Sequence, residues 1–176
     1  EKYKVILASN SPRRKELLSG LGICYEVKTL PGIEESYPDT LSGEEIPVFI
    51  ACEKADAYRQ TMHSDELIIT ADTIVWLDGL VMGKPEDEED ARRMLRCLSG
   101  KTHQVITGVC LTTTEFQKSF ATVTDVTFAE LTEEEIDYYV QKYKPMDKAG
   151  SYGIQEWIGF VGVEGITGSY FNVMGL

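Results

Sequence analysis

The chain has 176 residues, 43% hydrophobic and 26% charged, the balance of a folded protein rather than a disordered one. Lys+Arg 17 against Asp+Glu 29 leaves a net charge of −12, which repels phosphate backbones and anionic membranes and argues against a broad nucleic-acid or lipid surface. No apolar run approaches the ~20 residues that span a bilayer, and the opening Glu-Lys-Tyr-Lys-Val-Ile-Leu-Ala-Ser is no signal peptide.

In chain order, residues 2–8 are β-rich around the buried run Val5-Ile6-Leu7, and Ser11-Pro12 opens a helix that ends near Gly20 or Gly22. Residues 30–43, with two prolines and two glycines, read as a loop. Pro47 sits where a first-turn proline belongs, and residues 48–59 have helical spacing at Val48, Ala51, Ala55 and Tyr58. Residues 66–70 form a strand carrying Leu67-Ile68-Ile69. Asp78-Gly79 between the apolar runs 73–77 and 80–82 is the two-residue hairpin turn. Pro85 and the acidic run 86–90 start a helix whose inner face is Ala91, Met94, Leu95 and Leu98, stopped by Gly100. Residues 104–114 and 120–128 are β-branched and suggest a second antiparallel pair. Thr132 with Glu135 is a capping box for a helix through about Lys142. The remainder is Gly-rich and strand-like. With no internal repeat or linker, these elements imply an α/β fold. It has a long mixed sheet, flanking helices and two lobes around a cleft, without the strict alternation of a doubly wound fold.

The four cysteines, Cys24, Cys52, Cys97 and Cys110, never form a CxxC pair, so each is expected to be a small buried apolar residue in a reducing cytoplasm. With only His63 and His103, a His-rich metal site or His-based triad is poorly supplied, and His103 reads as structural.

Chemistry concentrates in a few places. Ser11 as N-cap and Pro12 in the first turn put Arg13, Arg14 and Lys15 at a helix N-terminus, the end where the dipole favours carboxylates. Free amides plus guanidiniums there make a phosphate cradle, while the plain alternative is a solvated basic turn. Asp72, between a strand and the hairpin, is either a turn-forming Asp or a carboxylate able to hold a divalent metal or act as general base. Glu34 and Glu35 are either solvated loop acids or oxygen ligands for Mg²⁺ or Mn²⁺. Lys54 and Lys84 read in isolation as surface lysines. Ser99-Gly100-Lys101-Thr102 mimics the end of a P-loop, but Leu95 stands where the first glycine is required, and it follows a helix.

Taken together, the segments Ala-Ser-Asn-Ser-Pro-Arg-Arg-Lys-Glu-Leu-Leu (8–18), Ala-Asp-Thr-Ile-Val (71–75), Gly-Lys-Pro (83–85), Leu-Ser-Gly-Lys-Thr-His-Gln-Val (98–105) and Asp-Lys-Ala-Gly-Ser-Tyr-Gly-Ile-Gln (147–155) resemble the Maf family of nucleoside triphosphate pyrophosphatases, also called septum formation inhibitors. The blocks occur in that family's order across essentially the whole chain. Tyr-Gly-Ile-Gln and the stretch 168–176 are similar to the branch acting on dTTP and UTP.

The resemblance implies one Maf-like domain over 1–176 whose C-terminal end is missing, with an ITPase-like fold. It implies hydrolysis between the α and β phosphates, releasing a monophosphate and pyrophosphate with a divalent cation, Mg²⁺ or Mn²⁺. Ser9, Arg13, Arg14, Lys54 and Lys84 would hold the triphosphate, Asp72 would accept the proton, and Glu35 with Glu34 and Asp72 would support the metal. Arg13, Thr73 and Gln155 would bear on base choice. Glu156 follows Gln155 where the family usually has Gly. The same resemblance implies a cytoplasmic homodimer with no nucleic-acid or membrane partner. The rivals are a pyrophosphatase for 7-methyl-GTP or another nucleotide, and a nucleotide-binding regulator of cell division without essential catalysis.

Overall fold

The computed structural model describes residues 3–33 and 35–175. Strand β1 (Lys4–Leu7) is followed by helix α1 (Pro12–Gly20), strand β2 (Tyr25–Val27) and helix α2 (Glu45–Arg59). Strands β3 (Glu66–Leu77) and β4 (Leu80–Met82), helix α3 (Glu88–Leu98), strands β5 (Thr102–Thr112) and β6 (Gln117–Phe128) and helix α4 (Glu133–Tyr143) come next. Two 3₁₀ turns, Pro145–Asp147 and Ala149–Ser151, lead to helix α5 (Trp157–Gly162), strand β7 (Val163–Thr167) and helix α6 (Tyr170–Met174). The sheet is mixed and seven-stranded, in the order β2-β1-β3-β5-β6-β7 with β4 paired to β3. β1 runs parallel to both β2 and β3, whereas β3–β4 and β6–β7 are antiparallel. The bond from Thr113 N to Phe116 O closes a turn too tight for β5 and β6 to be anything but antiparallel.

Two compact units divide the chain, Glu1–Thr73 with Thr107–Thr122 and Gly175–Leu176, and Ile74–Ile106 with Val123–Met174. In the first, Ile6, Ala8, Tyr58 and Ile68 form one core and Ala51, Ala55 and Cys110 another. Helix α2 buries Ile46, Pro47, Ile50, Ala51, Ala55 and Tyr58, so its apolar stripe begins earlier than Val48, which is only half-buried. It lies so close to β5 that a Cβ added to Gly108 would stand 2.4 Å from the Pro47 carbonyl carbon.

In the second unit α3 buries the four residues its spacing marked, Ala91, Met94, Leu95 and Leu98, against Ile136, Tyr139 and Val140 of α4. The α4 capping box is present, with the Thr132 hydroxyl accepting from Glu135 N and the Glu135 carboxylate from Thr132 N. The β3–β4 hairpin turns through Asp78 and Gly79, both at positive φ as a type I′ turn requires. His103 is fully buried against the edges of Phe128 and Tyr152 and bonded to the Tyr152 hydroxyl, and burial pushes its pKa down to about 4, so it is a core residue as expected.

Three expectations are corrected. The tail after α4 is not strand-like throughout, since α5 and α6 flank β7. Only Cys110 is fully buried, Cys52 and Cys97 are half-buried and Cys24 is exposed, because it stands in the loop before β2 and packs against no core. Residues 66–77 form one continuous strand, so Asp72 lies within it rather than in a turn.

Candidate active site

The site assembles in the first unit where β1 ends beside β3. Their parallel register pairs Leu7 with Ile69, and Ala8 N donates to Ile69 O at 3.0 Å, so the loop 9–11 leaves the sheet beside residues 70–73. Ligands of α/β proteins gather at such carboxyl ends of parallel strands. Ser11 N donates to Ser9 Oγ at 3.0 Å, and Arg14 N donates to Ser11 Oγ at 3.3 Å as an N-cap. Pro12 occupies the first turn of α1, which contains no acidic residue. Arg13 and Arg14 therefore project from a positive helix end with nothing on that turn to balance them.

Arg14 turns inward. Its Nη2 donates to Thr73 Oγ1 at 3.3 Å, and Thr73 in turn shares a hydrogen bond of 2.9 Å with the buried hydroxyl of Thr107. Burial lowers the Arg14 pKa, with Asp72 opposing that effect and Arg13 adding to it. Its Nε is buried without a hydrogen-bond partner among the described residues. A buried guanidinium N–H left unmatched costs free energy, and an anionic oxygen would satisfy it.

Asp72 is nearly buried, with an outlook on three charged neighbours. Burial pushes its pKa up to about 6; Lys54 and Arg14 pull it back down, while Glu35 adds to the rise. The lysine reaches it through helix packing. Thr70 Oγ1 donates to Ala51 O at 2.7 Å, which fixes that face of α2 on β3. Lys54 follows one turn later on the same face and donates to Ala71 O at 3.1 Å. The Lys54 Nζ also lies 3.0 Å from Glu35 Oε1 and 3.6 Å from Asp72 Oδ1. Two carboxylates thus converge on one cation, and a pair of oxygen ligands so placed, completed by water and phosphate oxygens, fits a hard divalent ion. No cluster of three or more His, Cys, Asp or Glu able to hold a metal occurs among the described residues.

Among the residues singled out from sequence, the structure brings together Ser9, Arg14, Glu35, Lys54, Asp72 and Thr73, with Arg13 beside Arg14 on the same turn. Glu34 lies outside the described residues. Lys84 and Gln155 belong to the second unit, both exposed, Lys84 between β4 and α3 and Gln155 just before α5. There the Tyr139 hydroxyl donates to Glu156 Oε1 and accepts from Gly153 N at 3.0 Å. Glu156 is thereby an anchor for the segment that presents Gln155. Thr107 is the residue that sequence reasoning missed. Its signal was a hydroxyl inside the apolar run Val105-Ile106-Thr107-Gly108-Val109, where a buried polar side chain needs a partner.

The family profile described as Maf-like protein matches residues 4–176. A protein of Phocaeicola vulgatus named dTTP/UTP pyrophosphatase is 82% identical over 176 residues, covering 100% of this chain and 91% of the relative. Proteins of the same name from Bacteroides fragilis and Bacteroides thetaiotaomicron are 70% and 68% identical over the same span, again covering 100% of this chain and 91% of each relative. Among solved structures, the Staphylococcus aureus Ham1 protein superimposes with a TM-score of 0.51 at 17% identity over 72% of each chain, a likeness of fold alone. With a profile match from the first strand to the last residue and such identity along the entire length, the chain belongs to the Maf family.

Proposed function

We propose that this protein hydrolyses dTTP and UTP between the α and β phosphates, releasing the nucleoside monophosphate and pyrophosphate. The observation that carries the chemistry is Asp72, a nearly buried carboxylate held at a pKa of about 6 beside Arg14 and Lys54. A base with that value is deprotonated at neutral pH yet basic enough to take a proton from water as it attacks. The choice of substrate rests on the relatives named dTTP/UTP pyrophosphatase, with which the chain shares its full length.

The triphosphate carries about four negative charges, and more charge gathers on the leaving pyrophosphate as the bridge breaks. Arg13, Arg14 and Ser9 bind it at the positive end of α1, and the unmatched Nε of Arg14 gains its partner. The family resemblance assigns Lys84 to the phosphates and Gln155 to the base. Thr73 orients Arg14, which fixes the phosphate relative to Asp72. Asp72 orients the water and accepts its proton, so no covalent intermediate is required. A divalent cation, Mg²⁺ or Mn²⁺, held by Asp72 and Glu35 with Glu34 in support, would supply neutralisation of the developing charge.

The reading carries with it a cytoplasmic homodimer acting on free nucleotides, without nucleic acid or membrane as partner. The charge of −12 supports the latter two points, and no helix among the described residues is long and apolar enough to cross a membrane. Comparing kcat/KM across all common nucleoside triphosphates and 7-methyl-GTP tests the substrate. dTTP and UTP should lead. Preference for 7-methyl-GTP would overturn the assignment, and binding without turnover would restore the regulator of cell division as the better account.

A further inference from the structure

Lys54 holds a position that a simple phosphate ligand would not need. Its ammonium has three N–H groups, and three acceptors surround it: Ala71 O at 3.1 Å, Glu35 Oε1 at 3.0 Å and Asp72 Oδ1 at 3.6 Å. The side chain is 14% exposed, so little water competes for those donors. Before any ligand arrives, Lys54 is therefore committed to the two carboxylates that would hold a divalent cation.

We propose that Lys54 is the resident cation of the site, competing with a divalent metal for Asp72 and Glu35. The inference rests on the metal-assisted reading above and deepens it. An ammonium and a dication cannot sit together between the same two carboxylates without repulsion, least screened on the side of the nearly buried Asp72. The lysine keeps the carboxylates from facing each other unshielded, and it weakens metal binding to the free protein. Arrival of a triphosphate changes the balance, because its negative charges favour the metal and offer the displaced ammonium new acceptors. Lys54 then turns from the carboxylates to the phosphates. One lysine thereby serves as internal counter-ion in the free protein and as phosphate ligand in the complex, which couples metal and nucleotide binding.

The test is Mn²⁺ binding to the whole protein without nucleotide, read from the free-ion signal in electron paramagnetic resonance. Wild type is compared with Lys54→Met and with Lys54→Gln, the latter keeping a donor for Ala71. Both single variants should bind Mn²⁺ at least ~10-fold more tightly than wild type, as expected for removing a unit charge a few ångströms from the ion. The gain should vanish in Lys54→Met/Glu35→Gln. Variants that bind Mn²⁺ no more tightly than the wild type overturn the inference. Metal-dependent pyrophosphate release by the wild type, measured in the same buffer, reports separately on the catalytic reading. Release with unchanged Mn²⁺ affinity in the variants removes only the role of Lys54. Release that needs no metal removes both.

Discussion

At the scale of single residues, Asp72 carries two consequences of one environment. Burial, outweighing Lys54 and Arg14, lifts its pKa from 3.8 to about 6. In the metal-free protein Asp72 should therefore titrate near 6, read from its carboxyl carbon shift in NMR, and a midpoint near 4 would contradict this. Stability follows from the same shift. The folded state holds its proton to higher pH than the unfolded chain does, so between about pH 4 and 6 the fold loses stability as pH rises. Asp72→Asn removes that loss, and it should stabilise the protein at pH 7 by up to about 3 kcal/mol, the linkage equivalent of the shift. The same variant should lower kcat by at least ~10²-fold while nucleotide binding persists, because Ser9, Arg13 and Arg14 hold the phosphates independently. Thermal melts, kinetics and calorimetric binding on one preparation read all three. Near-normal turnover would transfer the role of base to Glu35. The residue type and its neighbours in sequence marked Asp72, but its raised pKa was not legible, because it arises first from burial in the fold, with a glutamate before α2 adding to it and a lysine on α2 opposing it.

At the scale of elements, the start of α1 opposes its own dipole. Arg14→Ala should weaken triphosphate binding by ~1.5–3 kcal/mol, the range of a charged hydrogen bond, with folding intact. A collapse in melting temperature with unchanged nucleotide affinity would make the cluster structural. Helix α2 depends on a close approach. Gly108→Ala would push a methyl into the backbone of Pro47 and Val48, so it should destabilise by ~1–3 kcal/mol and, by lifting α2 from β5, disturb Lys54. Urea unfolding measures the first effect, and loss of activity beyond the loss of folded protein measures the second. Elements with strong local signals were legible: the Asp78-Gly79 turn, the capping box at Thr132 and the four-residue inner face of α3. β2 has three residues, none of them buried, and owes its existence to pairing with β1, so no local pattern announces it. The continuity of β3 was hidden because Thr70 and Asp72 look like strand-ending polar residues. Thr70 is bonded to Ala51 and Asp72 is paired with Lys54, and both partners come from α2. The glycines of the tail likewise suggested extended chain where α5 and α6 form.

At the scale of the whole molecule, the acidic surface and the site differ in sign. A chain of −12 places Arg13, Arg14 and Lys54 around a nearly buried carboxylate where β1 ends beside β3, so a local basic cluster stands out from an acidic whole. The family was legible because two of its motifs are segments that build this site: 8–18 supplies the loop and helix start, and 71–75 supplies Asp72 and Thr73. Thr107 escaped notice because it lies 34 positions beyond its hydrogen-bond partner Thr73. The central claim, metal-assisted release of pyrophosphate, meets its most direct test in the products. dTTP or UTP is incubated with the full chain in Mg²⁺ or Mn²⁺ and, in parallel, in EDTA, and phosphate-containing products are quantified by ion-exchange chromatography. Equal amounts of monophosphate and pyrophosphate with metal, and none in EDTA, are the expected result. Orthophosphate as the first product, or full activity in EDTA, would contradict it.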